Sequence, residues 1–157
     1  MKPLYSFAFV ISILVALWVF ISIGNPALHL NPWIGLIAWS AYFAGGGTWQ
    51  VAKNTFFAGI VGILLTALTL YGVNALGGSL QTMMILIPIL AFALVVMSQI
   101  SSLAFTPAAF LAAAAFFGSG GNVDSTILFI ILSWIAGICL GIASINIDKL
   151  FHEPAQG

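Results

Sequence analysis

Tyr42-Phe43-Ala44-Gly45-Gly46-Gly47 and Phe116-Phe117-Gly118-Ser119-Gly120-Gly121 close two apolar segments of this chain in the same way. A proline stands nine or ten residues before each aromatic pair, at Pro32 and Pro107, and a longer apolar run follows each glycine cluster. About 12 residues between proline and glycines make a helix of roughly 18 Å. A bilayer core is about 30 Å thick. The same short element therefore occurs twice, Tyr42 falling on Phe116 at an offset of 74 residues. Short, glycine- or proline-interrupted segments at matching places in two halves point to a solute pathway in a membrane protein.

Composition fixes the class. Hydrophobic residues make up 62% of the 157 and charged residues 4%, against about 45–50% and about 25% in soluble domains. Three lysines, no arginine and a net charge of zero exclude nucleic acid as a partner, because phosphate binding needs clustered cations. The lone Cys139 forms no disulfide or metal set within one chain and reads as a small hydrophobe. The first apolar segment, Leu4–Ile23, is longer than a signal-peptide core of about 7–15 residues and is followed by Gly24-Asn25-Pro26 rather than a small-residue cleavage site. It reads as a retained helix.

Six hydrophobic segments follow from the pattern: Leu4–Ile23, the short Pro32–Ala44, Asn54–Leu76, Met83–Ile100 with a kink expected at Pro88, the short Thr106–Phe117, and Ser125–Ile147. The expected fold is an all-α membrane bundle of six hydrophobic segments, two of them short or broken, in a pseudo-symmetric three-plus-three repeat. Residues 1–148 form a single transmembrane domain, with repeat 1 over about 4–76 and repeat 2 over about 80–147, and 149–157 a polar tail. Gly59-Gly62 and Gly137-Gly141 form small-residue faces, expected to be free for packing against neighbouring copies.

Two topologies fit. If all six segments cross, Lys2, Lys53 and Lys149 share one side, the cytoplasm by the positive-inside rule, Asp124 lies on the other, and the repeats are inverted. If the short segments turn back, Lys53 moves outside and the repeats run parallel. The lysines favour six crossings, a multi-pass protein with both termini cytoplasmic; the bacterial inner membrane is what the family resemblance given below implies.

Catalytic chemistry has little to draw on. His29 and His152 lie in a loop and the tail, and Asp124, Asp148 and Glu153 lie at segment edges. No metalloprotease, nucleophile-elbow, phosphate-loop or dithiol motif occurs. The chain is therefore expected to be no enzyme, with no catalytic residue, cofactor or metal. With no ionisable residue near a segment centre, ion or proton coupling is disfavoured. What remains at mid-depth is aromatic, small and weakly polar. Trp39, Tyr42, Phe43, Gly45, Gly46 and Gly47 from the first short element, and Thr106, Pro107, Phe110, Phe116 and Phe117 from the second, are the candidate pore and solute-binding residues. Aromatic faces would set a width, and hydroxyls and freed carbonyls would offer hydrogen bonds. The alternative reading gives the aromatics to interfacial belts and the glycines to helix packing.

Two resemblances attach to these stretches. Trp39-Ser40-Ala41-Tyr42-Phe43-Ala44-Gly45-Gly46-Gly47, with Phe105-Thr106-Pro107-Ala108-Ala109-Phe110 and Ala114-Ala115-Phe116-Phe117-Gly118, resembles a family of small bacterial inner-membrane proteins of unassigned function, domain of unknown function 1097. Ala109, Ala112 and the three consecutive glycines depart from its pattern. Asn31-Pro32-Trp33-Ile34-Gly35-Leu36 resembles the stretch opening a short pore element in urea transporters. The first resemblance implies no activity. The second implies a trimeric channel with inverted repeats and a hydroxyl-bearing aromatic pore. The expected function is a passive channel or facilitator for a small uncharged solute such as urea, an amide or ammonia. Its expected partners are the lipid bilayer, that neutral solute and further copies of the chain, as a trimer by analogy. The alternatives are a non-transporting structural subunit of a membrane complex and an ion-coupled transporter.

Overall fold

The computed structural model describes residues 3–151, so Lys2, His152 and Glu153 lie outside the described residues. Within them the chain is all-helical: α1 (Pro3–Ser22), α2 (Pro32–Ala44), α3 (Trp49–Ala75), α4 (Leu80–Val96), α5 (Thr106–Gly118) and α6 (Thr126–Leu150). Short 3-10 turns occupy Pro26–Leu28, Met97–Gln99 and Ser101–Leu103. Four stretches are long and apolar enough to cross a bilayer: Leu4–Ser22, Trp49–Ala75, Leu80–Gln99 and Thr126–Leu150. The chain is an integral membrane protein. The short elements, α2 and α5, hold 13 residues each, about 20 Å of helix.

Side-chain caps set the helix starts. Asn31 Oδ1 accepts from Trp33 N at 3.0 Å and Ile34 N at 3.4 Å, with Pro32 in the first turn, where a missing N–H costs nothing. Thr48 Oγ1 accepts from Val51 N and Ser79 Oγ from Thr82 N, each at 3.2 Å. These two caps correct the expected starts of α3 and α4, from Asn54 and Met83 back to Trp49 and Leu80. A capping hydroxyl satisfies a first-turn N–H that would otherwise lack a partner. Helix α4 continues through Pro88, and α6 runs past Ile147 to Leu150.

Three helices stop with the same device. Gly47 N donates to Tyr42 O at 3.1 Å and Gly46 N to Phe43 O at 2.9 Å; Gly121 N donates to Phe116 O at 3.2 Å and Gly120 N to Phe117 O at 3.1 Å. Gly78 and Gly77 repeat it on Val73 and Asn74 at the end of α3. These paired bonds form a Schellman motif, which needs a left-handed residue. Gly46 (φ 98°), Gly120 (φ 100°) and Gly77 (φ 92°) supply it.

Contacts between helix ends trace the direction of each helix. Ser6 Oγ donates to Asp148 Oδ1 at 2.8 Å, joining the start of α1 to the end of α6. Trp18 Nε1 donates to Pro32 O at 2.9 Å, and Asn31 N to Ser133 Oγ at 2.8 Å, placing the start of α2 at the opposite end of the bundle. Gly47 lies against Ile145, Gly45 against Phe105, and Gly121 against Leu70. Every connection thus reverses the chain. The short helices run from one end of the bundle to the other instead of turning back. Lys53 and Lys149 share the end where α1 starts, and Asp124 lies at the other.

Helix α2 packs chiefly on α6, and α5 on α3. The crossings are made by glycine. A Cβ added at Gly137 would stand 2.0 Å from Gly35 O, and one at Gly62 would stand 2.6 Å from Ala109 O. Gly59 lies under the Trp134 ring, and Gly141 under Tyr42 and Trp39. The expectation that these glycine faces are free for neighbouring copies is thereby corrected. Apolar tails solvate a helix as well as leucine does, so close backbone approach is the main gain from helix association in lipid. The short helices take that gain within the chain.

Candidate functional site

The short helices divide the expected pore residues into separate groups. Trp39 and Tyr42 are buried at the α2–α6 crossing, and Phe43 lies beside them, its ring centroid 6.1 Å from Trp39, 6.0 Å from Tyr42 and 5.6 Å from Phe7. The Tyr42 hydroxyl donates to Gly47 O across the cap, so it serves to fix the glycine turn. Gly45 has Val51 and Phe105 as its neighbours. Phe116 is fully buried. Phe110 and Phe117 instead face outward into an apolar hollow of about 210 Å³ shared with Ile87, Leu90 and Leu94 of α4. Thr106 starts α5, half-buried, with Pro107 exposed in the first turn. The α2 aromatics thus face α1 and α6, and Phe110 and Phe117 face α4. The structure groups Trp39, Tyr42 and Phe43, pairs Phe110 with Phe117 in the hollow against α4, and buries Phe116 in the core apart from that pair.

The buried polar side chains are hydroxyls throughout: Ser6, Ser22, Thr55, Thr66, Ser133 and Ser144. Four of them donate back to their own helix: Ser22 to Trp18 O, Thr66 to Gly62 O, Ser133 to Phe129 O and Ser144 to Gly141 O, at 2.6–2.7 Å. Trp134 Nε1 donates across to Thr55 O at 3.1 Å. Among the described residues, two buried polar atoms have no partner, Trp39 Nε1 and Thr55 Oγ1. An unpaired buried donor or acceptor of this kind costs about 1–3 kcal/mol of desolvation.

A third feature lies at the end of the bundle away from Lys53. There the starts of α2 and α6 and the end of α5 surround a cavity of about 520 Å³. Asn31, Pro32 and Trp33 form one wall, Ser125, Thr126 and Phe129 another, and Ser119 the edge near α5. His29 rests on the Phe129 ring at 4.9 Å between centroids and holds a left-handed backbone at φ 52°. Asp124 accepts from Thr126 N at 2.7 Å and from the Thr126 hydroxyl. Those two bonds, the hydroxyl's first, hold its carboxyl below the ordinary aspartate range. The cavity sits at the first turn of α2, where Asn31 and Pro32 start the helix. Of this lining, the sequence singles out Asn31-Pro32-Trp33, through the urea-transporter resemblance; Ser125-Thr126 and His29 are not among the expected pore residues. Among the described residues, no group of three histidine, cysteine or acidic side chains is placed to hold a metal ion.

No curated protein and no solved structure matches the chain. A family model described as a protein of unknown function (DUF1097) matches residues 8–148. With nearly its whole length covered by that match, and the two glycine-capped short helices inside it, the chain belongs to the DUF1097 family.

Proposed function

We propose that the protein is a passive channel or facilitator for a small uncharged solute, of the size and polarity of urea, an amide or ammonia. The observation that carries the reading is the buried polar set: hydroxyls and one free indole N–H, with no ionisable group among the buried polar side chains described. Such an interior hydrogen-bonds a neutral solute and gives an ion no counter-charge. The cavity over α2 and α5 serves as the mouth, and Trp39 and Thr55 as the donors beyond it. The reading is non-enzymatic and needs no cofactor.

It includes an inverted three-plus-three repeat. Support comes from the identical cap bonds at Tyr42–Gly47 and Phe116–Gly121, and from the exchange of partners, α2 on α6 and α5 on α3. It also places the protein in a bacterial inner membrane with cytoplasmic termini, on the side shared by Lys53 and Lys149. The trimer is carried by the urea-transporter resemblance alone.

Proteoliposome shrinkage under urea, acetamide and glycerol gradients tests the function. The expected result is solute flux several-fold above empty vesicles, falling by about tenfold in Ser125→Trp, which fills the mouth. Flux equal to empty vesicles for the whole panel sinks the proposal. A specific observation favours a second reading, a structural subunit of a membrane complex: the α2–α6 and α3–α5 crossings are closed backbone to backbone at Gly137–Gly35 and Gly62–Ala109. That reading expects no flux and stable co-purification of a second polypeptide.

A further inference from the structure

Beyond the Gly59–Trp134 contact, toward the start of α3, residues of α3 and α6 line an apolar groove of about 360 Å³ on the outer surface of the bundle. Ala52 and Ile138, both buried, form its floor, and Phe57, Cys139 and Ile142 line the sides. From Trp49 to Phe57 the groove runs about 12 Å along the helix axis, and its Trp49 end lies where α3 starts.

Lys53 lines the same groove, one turn inside an apolar helix. A lysine at that depth turns its amine back toward the polar boundary. Its Nζ does so, standing 5.8 Å from the Trp49 ring centroid at the groove mouth. No carboxylate among the described residues pairs with it. The groove is thus apolar along its length, with a cation that no described carboxylate pairs and an exposed tryptophan at the end where α3 starts. That order of chemistry, from tail to head, is the order of a phospholipid with an anionic headgroup.

We propose that the α3–α6 groove is a binding site for one acyl chain of an anionic phospholipid, its phosphate drawn to Lys53. The apolar walls hold the chain and Lys53 selects the headgroup. Near an anionic surface one lysine contributes about 1 kcal/mol, or about a fivefold preference.

The test is native mass spectrometry of the purified protein in mild detergent. Phosphatidylglycerol and phosphatidylcholine with identical acyl chains are added in equal amounts. The expected result is about fivefold more phosphatidylglycerol retained. Lys53→Gln brings the ratio to about one, while Lys149→Gln, at the same end but outside the groove, leaves it unchanged. Cys139→Trp, which fills the groove, removes both adducts with helical content retained by circular dichroism. Equal retention of the two lipids by the unaltered protein overturns the proposal, as does an undiminished preference in Lys53→Gln or Cys139→Trp. Quantitative oxidative crosslinking of Cys139 between copies in native membranes also overturns it, because a second chain then occupies the groove. None of these readouts depends on whether the protein conducts a solute.

Discussion

Gly137 and Gly46 show two different reasons for glycine. At Gly46 nothing lies within 4 Å of an added Cβ, yet φ is 98°. Alanine there meets only the conformational cost of a left-handed residue, about 1–2 kcal/mol. At Gly137 the constraint is space, since the Gly35 carbonyl would sit 2.0 Å and Ala38 Cβ 2.9 Å from the new methyl. Gly137→Ala must push α2 off α6, and overpacking of this kind costs about 1–3 kcal/mol or more. The expected outcome is a clear fall in thermal midpoint for Gly137→Ala in detergent, at the upper end of that range. Gly118→Ala, with no neighbour within 4 Å, is the matched control and should hold or slightly raise the midpoint. Equal midpoints for the two variants would remove the crossing from the account of stability.

At the scale of elements, the short helices were legible because proline and glycine punctuate the chain through local backbone geometry. Pro32 and Gly45–Gly47 bound α2 as expected, and Thr106 starts α5 as expected. The starts of α3 and α4 were misplaced because Thr48 and Ser79 stand beside glycine clusters and read as loop, whereas each caps the helix that follows. The pairing of α2 with α6 and α5 with α3 leaves no trace in any one segment. A glycine face looks the same in sequence whether it meets another copy or the chain's own carbonyls. The cavity was missed for a similar reason, since its walls come from three separate stretches, each looking like an ordinary helix end. The expected pore residues failed to form one ring because successive aromatics on a short helix point to different neighbours, Phe116 inward and Phe117 toward α4.

For the whole molecule, alternation of all six helices predicts sidedness. In a Cys139→Ser background, Gln50→Cys and Lys149→Cys should react with an impermeant maleimide from one side of the membrane. Ser79→Cys and Asn122→Cys should react only from the other. Gln50 labelling from the same side as Asn122 would mean that α2 turns back, and the traced directions would be wrong. The partnership of α2 with α6 also has a consequence in time. At 13 residues, α2 is too short to be held by lipid alone, and its main partner, α6, is made after the other five described helices. Roughly a hundred residues separate Ala44 from Leu150, which at about 5–20 residues per second is about 5–20 s of synthesis. During that interval the ribosome has delivered α2 without its main partner. A chain truncated after Gly121 should therefore exchange the α2 amide hydrogens that the full chain protects, with α2 closing only when α6 arrives. Equal protection in the two chains would show that α2 settles without its partner.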